Sequence, residues 1–175
     1  MISSPHNIFK KIFAGALFIF GFATTIRAQF IDLNLNIDSK LTASTEQPLD
    51  FGTLATNSGR QAIDFGSLNM GIFSITALKN EILLINLNKP HELYHENPAT
   101  KETIPIELLS RYGYAEHNYQ NTYKLSNTSS IIKVNPNSEP GPWNTIYIFM
   151  YGSVNIGNVP DGVYSNDIVL NVEYL

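Results

Sequence analysis

Five residues near the middle of the chain spell a zinc-binding motif, His91-Glu92-x-x-His95. In H-E-x-x-H metalloproteases the two histidines lie one helical turn apart and bind Zn²⁺, while the glutamate acts as a general base. That geometry requires a helix, but Pro90 and Pro98 leave room for only about two helical turns. The motif therefore predicts a polar loop between two strands, and a zinc hydrolase is the remote alternative.

No other pattern predicts catalysis or a cofactor. The sequence has no nucleophile elbow, no phosphate-binding glycine loop and no pair of acids in a glycosidase context. Residues with calcium-ligand chemistry alternate with Leu and Ile, so they form the polar side of a strand and not an EF-hand loop: Asp32, Asn34, Asn36 and Asp38. Cysteine is absent. We therefore predict no catalytic residue, no metal and no cofactor.

The first 28 residues have the parts of a secretory signal peptide. A basic start precedes an uncharged apolar run, residues 12–22, and small residues suitable for cleavage end at Ala28, with a cut after Ala23 as the alternative. The apolar run is well short of the roughly 20 residues that span a bilayer as a helix. We predict export of a mature chain, residues 29–175, that is not stably inserted in the membrane.

The charge of this mature chain bears on its partners. Cleavage would remove Lys10, Lys11 and Arg27 but no acidic residue, so the formal charge would fall from −4 to −7. Such a surface repels phosphate backbones, and no cluster of Lys or Arg interrupts it. Nucleic acid is therefore not an expected partner. The mature length is typical of a single domain with its own core.

The last fourteen residues, 162–175, predict a half-buried strand. Turn chemistry at Pro160 and Gly162 precedes them, and successive strand side chains point to opposite faces. The apolar face is interrupted at Asn166 and otherwise carries Tyr164, Ile168, Leu170, Val172 and Tyr174. Such a terminal strand pairs along both edges or leaves one edge open to another chain.

The predicted mature chain opens with the cleanest alternation in the sequence, at residues 30–38. Its apolar side chains are Ile31, Leu33, Leu35 and Ile37. Burying these side chains roughly offsets the entropic cost of ordering the strand, so a sheet edge must also take up its backbone groups. Two interpretations stay open: a first strand of its own sandwich, or a strand donated to a neighbour. A flexible-looking connection, residues 39–48, follows.

Short apolar runs predict further strands between the two terminal segments. They are rich in Ile, Val, Tyr and Phe and are punctuated by Asn, Gly and Pro, as in an all-β sandwich. The predicted strands are residues 71–77, 82–87, 104–109, 122–125, 131–134 and 145–151. Trp143, Tyr147 and Phe149 are predicted to be core or rim aromatics and not a ligand platform.

Two near copies of one motif lie fourteen residues apart, Leu49-Asp-Phe-Gly-Thr-Leu54 and Ile63-Asp-Phe-Gly-Ser-Leu68. They predict a hairpin or two short strands, in which Gly52 and Gly66 permit a close backbone approach or a bulge. Two copies are too few for a solenoid.

Four features in order carry a resemblance to known families: Leu49-Asp-Phe-Gly52, the glycine-led strand at residues 71–76, a second strand that ends near proline, and the terminal Gly162-x-Tyr164 strand with its penultimate Tyr174. Together they resemble an uncharacterised bacterial secreted domain family that is similar to spore coat protein U-like domains and to chaperone–usher pilin subunits. The resemblance spans about residues 29–175. It implies an immunoglobulin-like (pilin-like) β-sandwich whose C-terminal strand borders a groove that a donated strand fills.

The sequence therefore predicts a structural subunit of a bacterial surface fibre. Residues 30–38 of one subunit would enter the groove beside residues 163–175 of another, after transit through the periplasm to the cell surface. The expected partners are copies of itself or related subunits, a periplasmic chaperone and an outer-membrane usher. The alternative is a self-complete secreted β-sandwich that binds carbohydrate or another surface ligand, with residues 30–38 paired within their own domain.

Overall fold

The computed structural model describes residues 40–126, 128–135 and 140–175, which are all β. The described strands are β1 (Thr42–Gln47), β2 (Gly59–Ile63), β3 (Gly71–Leu78), β4 (Ile82–Asn88), β5 (Glu92–His95), β6 (Thr103–Gly113), β7 (Tyr123–Lys124), β8 (Ser129–Lys133), β9 (Trp143–Ile156), β10 (Tyr164–Ser165) and β11 (Val169–Tyr174). The predicted signal peptide and residues 30–38 lie outside the described residues. Within the described ranges, no helix is long and apolar enough to cross a membrane.

The strands form two antiparallel sheets. The larger has the order β1-β3-β9-β6-β5-β10, with β2 also paired to β9 and β7 to β6, and the smaller has the order β11-β4-β8. The long central strand β9 pairs first with β3 and then, from Gly152 onward, with β2, while β6 lies along its other side. This arrangement confirms the predicted all-β sandwich.

The main core contains the inward side chains of both sheets. In β4, Leu83, Ile85 and Leu87 are buried while their neighbours are exposed or half-buried, which is the period of two expected of a strand with one covered face. Ile146 and Ile148 of β9 belong to the same buried cluster. Burial of such side chains is the main favourable term in the folding of a chain without cysteine.

A second, smaller core contains Ile63, Met70, Ile72 and Phe149. Phe65 contacts Phe149 edge to face, at 5.8 Å between ring centroids, and the Arg111 guanidinium lies 5.2 Å from the Phe65 ring. Phe149 is completely buried, as predicted for a core aromatic.

The six strands predicted from apolar runs between the terminal segments are present, although residues 122–125 contribute only the two-residue β7. Three further strands were not predicted: β1, β2 and β5. β1 lies in the segment predicted as a flexible connection, and β5 contains most of the motif predicted as a loop. β1 and β5 are polar and lack a long apolar period. They are strands because β3 and β6 supply hydrogen-bonding partners.

The two motif copies form turns, so the strands predicted there are wrong. Gly52 and Gly66 have φ angles of 70° and 89°, in the left-handed region that favours glycine. The Asp50 carboxylate accepts a hydrogen bond from the Gly52 N–H at 2.8 Å. Asp64 accepts one at its carbonyl from the Ser67 N–H at 3.0 Å. Such Asp-initiated turns compete successfully with a sheet ladder.

Tyr114 makes the stability of the domain sensitive to high pH. Its hydroxyl donates to the Lys133 carbonyl at 2.8 Å, and burial, together with the nearby Tyr112 and Tyr123, raises the pKa of Tyr114 to about 12. An unfolded tyrosine ionises near pH 10, so the contribution of Tyr114 to stability is complete below about pH 10 and is lost as the pH rises through about 12.

We therefore expect the melting temperature of the wild type to fall more steeply between about pH 10 and 12 than that of Tyr114→Phe. Circular dichroism melts at matched ionic strength measure both slopes. Equal slopes would contradict the assignment.

Candidate functional site

The C-terminal segment forms two short strands where a single continuous one was predicted. Tyr164–Ser165 (β10) pairs with β5, whereas Val169–Tyr174 (β11) pairs with β4 of the other sheet. Asn166 lies at the break, where its side-chain amide donates to the Glu92 carbonyl and its side-chain oxygen accepts the Asp167 N–H, both at 2.8 Å. The residue that interrupts the apolar pattern is therefore where the chain changes sheets.

The apolar residues of this segment all contact the core, although the segment contributes strands to two sheets. Each is only half-buried, and each packs against the main core: Tyr164, Ile168, Leu170, Val172 and Tyr174. Val169, Asn171 and Glu173 alternate with them and are exposed. The apolar face thus contacts the core without being fully covered by the described residues.

The backbone of β11 is also incompletely used. The Leu175 N–H donates to the Ile82 carbonyl at 2.9 Å, and hydrogen-bonded residues alternate along an antiparallel pair. The N–H and C=O groups of Val169, Asn171, Glu173 and Leu175 therefore point toward β4. The N–H and C=O groups of Leu170, Val172 and Tyr174 point away from β4. No strand of the described residues pairs with that outer edge.

The edge strand of the larger sheet, β1, is a second open sheet edge. Among the described strands it pairs only with β3. Side chains fix it there: the Glu46 carboxylate accepts hydrogen bonds from Ser74 and Ser44, which lower the pKa of Glu46. The Gln47 amide donates to the Met70 carbonyl at 2.7 Å. β1 is thus held in place on one side only.

An open groove, which we call the edge groove, lies beside these edges. One bank contains Gln47–Gly52, which start at the end of β1, and the other contains Val159–Ile168, which include β10 and end just before β11. Two adjoining cavities of about 380 and 470 Å³ form it, sharing Phe51, Leu93 and Tyr164 among their lining residues. Its floor is apolar and belongs to the core: Phe73, Leu93, Ile106, Leu108 and Met150.

Leu49 and Phe51 of the first motif copy line the same groove and pack against the core. The turn at Gly52 ends their apolar run. Sequence reasoning assigned these two side chains no role in a site, because a four-residue motif does not show which core it touches.

Gly162 is required by the packing of His95. A β-carbon at Gly162 would overlap the His95 imidazole. That ring cannot move freely, because it packs edge to face on Tyr164 at 4.9 Å and its Nδ1 accepts the Asn97 N–H at 2.8 Å. Turn chemistry led to Gly162 in the sequence, and the structure adds this steric reason.

The histidines of the H-E-x-x-H motif do not form the geometry of a zinc protease. Residues 92–95 are a strand, in which positions four apart are separated by about 13 Å instead of one helical turn. His95 instead contacts Tyr164 and Asn97. Among the described residues, no three His, Cys, Asp or Glu side chains are grouped to hold a metal ion.

The chemistry of the edge groove is therefore its apolar floor and the unpaired backbone beside it. An extended chain with alternating apolar side chains has matching chemistry, since its side chains can cover the floor while its main chain adds to a sheet edge. The sequence matches no protein-family model, and no curated protein is significantly similar to it.

Proposed function

We propose that this protein is a structural subunit of a bacterial surface fibre assembled by donor-strand exchange. Residues 30–38 of one copy would lie in the edge groove of another copy and extend along the outer edge of β11. The observation that carries the proposal is the combination found at β11, where half-buried apolar side chains lie next to backbone groups without a described strand partner.

The shape of the groove favours a strand over a compact ligand. It consists of two adjoining cavities whose lining continues from Val159 past Tyr164 to Ile168, just before β11 begins. One bank begins at the end of β1 and the other contains β10, the two edge strands of the larger sheet, so one inserted strand can reach both. Edge strands left open in this way are otherwise prone to nonspecific pairing, and an assigned partner removes that hazard.

The chemistry of residues 30–38 matches the groove. Ile31, Leu33, Leu35 and Ile37 would face the apolar floor, and Asp32, Asn34, Asn36 and Asp38 would face solvent, since strand side chains alternate. These residues lie outside the described ones, so their pairing is part of the proposal. Before assembly, a periplasmic chaperone would cover the groove. At an outer-membrane usher, the donated strand of the next subunit would then replace the chaperone.

A deletion variant with an added peptide tests the proposal. We expect the full chain to form a ladder of oligomers that resists mild detergent, and the chain lacking residues 30–38 to give only monomer of lowered stability. A synthetic peptide of residues 30–38 should bind this variant and raise its melting temperature. Binding buries apolar side chains and pairs the edge of β11, and it stabilises only the folded state.

A peptide carrying Leu33→Asp and Leu35→Asp is the matched control, because it keeps the length but places two charges against the apolar floor. It should give no thermal shift. The fibre proposal would be contradicted, and the self-complete binding module favoured, if the full chain is a homogeneous monomer and does not bind the wild-type peptide.

A further inference from the structure

A separate cavity lies at the end of β6, and it shares no lining residue with the edge groove. It measures about 340 Å³ and lies between the segment 114–116 and the start of β9. Trp143, Thr145 and Tyr147 line it from β9. Since alternate strand residues point to the same face, these three side chains form one row of about 13 Å from Trp143 to Tyr147.

The row has aromatic surface and polar atoms that are open to a ligand. Trp143 and Tyr147 are both half-buried, so part of each ring is accessible. A ligand platform here departs from the sequence prediction, which gave these aromatics a place in the core or at its rim. Neither the Trp143 indole N–H nor the Tyr147 hydroxyl has a hydrogen-bond partner among the described side chains and backbone. The indole can donate, and the hydroxyl can donate or accept.

The floor of this cavity is held in place by a buried amide. Asn144 is 4% exposed. Its side chain donates to the Asn135 carbonyl at 2.7 Å and accepts the Thr145 N–H at 2.9 Å. These bonds fix the backbone between Trp143 and Thr145, so the spacing of the aromatic row is set before any ligand arrives.

The charged side chain described in the lining of the cavity is Glu116, whose carboxylate lies 3.8 Å from the exposed His117 imidazole. Burial, followed by the carboxylates of Glu116 and Glu46, raises the pKa of Tyr147. Glu116 lines the cavity, and no Lys, Arg or His is among the described lining residues. Carboxylates accept hydrogen bonds from neutral hydroxyl groups but repel anionic ligands.

We propose that the Trp143–Tyr147 row and Glu116 form a binding site for a neutral oligosaccharide. Aromatic faces would pack against the C–H faces of successive sugar rings. The Glu116 carboxylate would accept hydrogen bonds from sugar hydroxyls, and the Tyr147 hydroxyl would also hydrogen-bond to them. Recognition by apolar stacking with a few placed polar groups is the usual design of small-molecule sites. The site is independent of the proposed fibre assembly, because a strand in the edge groove would not contact its lining residues.

The fluorescence of Trp143 reports on the site directly, because the chain contains one tryptophan. The full chain should be titrated with cellohexaose, xylohexaose, mannohexaose and chitohexaose, and with sialyllactose as the anionic comparison. We expect a saturable change in emission with at least one neutral hexasaccharide and none with sialyllactose.

Two variants with small structural effects identify the residues involved. Glu116→Gln removes a charged acceptor and Tyr147→Phe removes only a hydroxyl, and each should weaken binding, Glu116→Gln by about tenfold. Glu107→Gln, which changes an exposed acid outside the cavity, should bind as the wild type does. The proposal is overturned if no hexasaccharide gives a saturable change at millimolar concentration, if both variants bind normally, or if only sialyllactose binds.

Discussion

Replacing Gly152 by alanine is expected to prevent the domain from folding stably. Gly152 lies in β9 opposite Leu108 of β6 on one side and Ile63 of β2 on the other. A β-carbon there would overlap the Glu107 carbonyl oxygen and lie 3.1 Å from the Leu108 Cα. Because both are backbone atoms of the central sheet, they cannot rotate away as a side-chain tip would.

We expect Gly152→Ala to lower the free energy of unfolding by about 4 kcal/mol or more, against a total of about 5–15 kcal/mol for a typical domain. Gly157→Ala is the control, since a β-carbon at Gly157 meets nothing within 4 Å, and it should cost less than about 0.5 kcal/mol. Urea unfolding followed by circular dichroism measures both. If Gly152→Ala unfolds at the wild-type midpoint, the close approach of β6 and β9 is wrong.

Replacing Val172 by proline is expected to abolish the proposed fibre assembly while the domain stays folded. The Val172 N–H points away from β4, so its loss removes no hydrogen bond within the described sheet. Proline is tolerated in an edge strand where the N–H would face outward. A donated strand, however, would lose a ladder hydrogen bond and meet the proline ring at the centre of its pairing edge.

Asn171→Pro is the matched comparison, one residue away. The Asn171 N–H points toward β4, and its side chain is exposed, so this substitution removes a bond within the sheet and little side-chain packing. We expect it to destabilise the domain more than Val172→Pro does.

The two readouts are the melting temperature and the length of the detergent-resistant ladder. Assembly of Val172→Pro at the wild-type level would show that the outer edge of β11 is not the pairing edge. If Val172→Pro is destabilised more than Asn171→Pro, the assignment of inward and outward N–H groups along β11 is wrong.

The strands that sequence reasoning located best are those with a covered face. Ile82–Asn88 alternates buried and less buried side chains, and its apolar period was visible without the structure. The missed strands β1 and β5 are polar and short, and no periodicity marks them. Whether a polar segment becomes an edge strand depends on which sheet edge is free nearby, and that is a tertiary property.

Sequence reasoning likewise identified only part of the candidate site. The alternation from Tyr164 to Tyr174 identified the apolar face, because side-chain direction in a strand follows from local geometry alone. It did not show that the chain leaves one sheet for the other at Asn166. It also did not show that Phe51, distant in sequence, lines the same groove.

By itself, the sequence determined the all-β class, the main core strands and the face of the C-terminal segment that meets the core, since these follow from the period of its apolar residues. Only the tertiary structure decided that the residues after β1 and those around β10 line one apolar groove, and that β11 is an edge strand of the smaller sheet. Strand partners are chosen by the packing of the whole domain, and backbone hydrogen-bonding groups are the same at every non-proline position of any sequence.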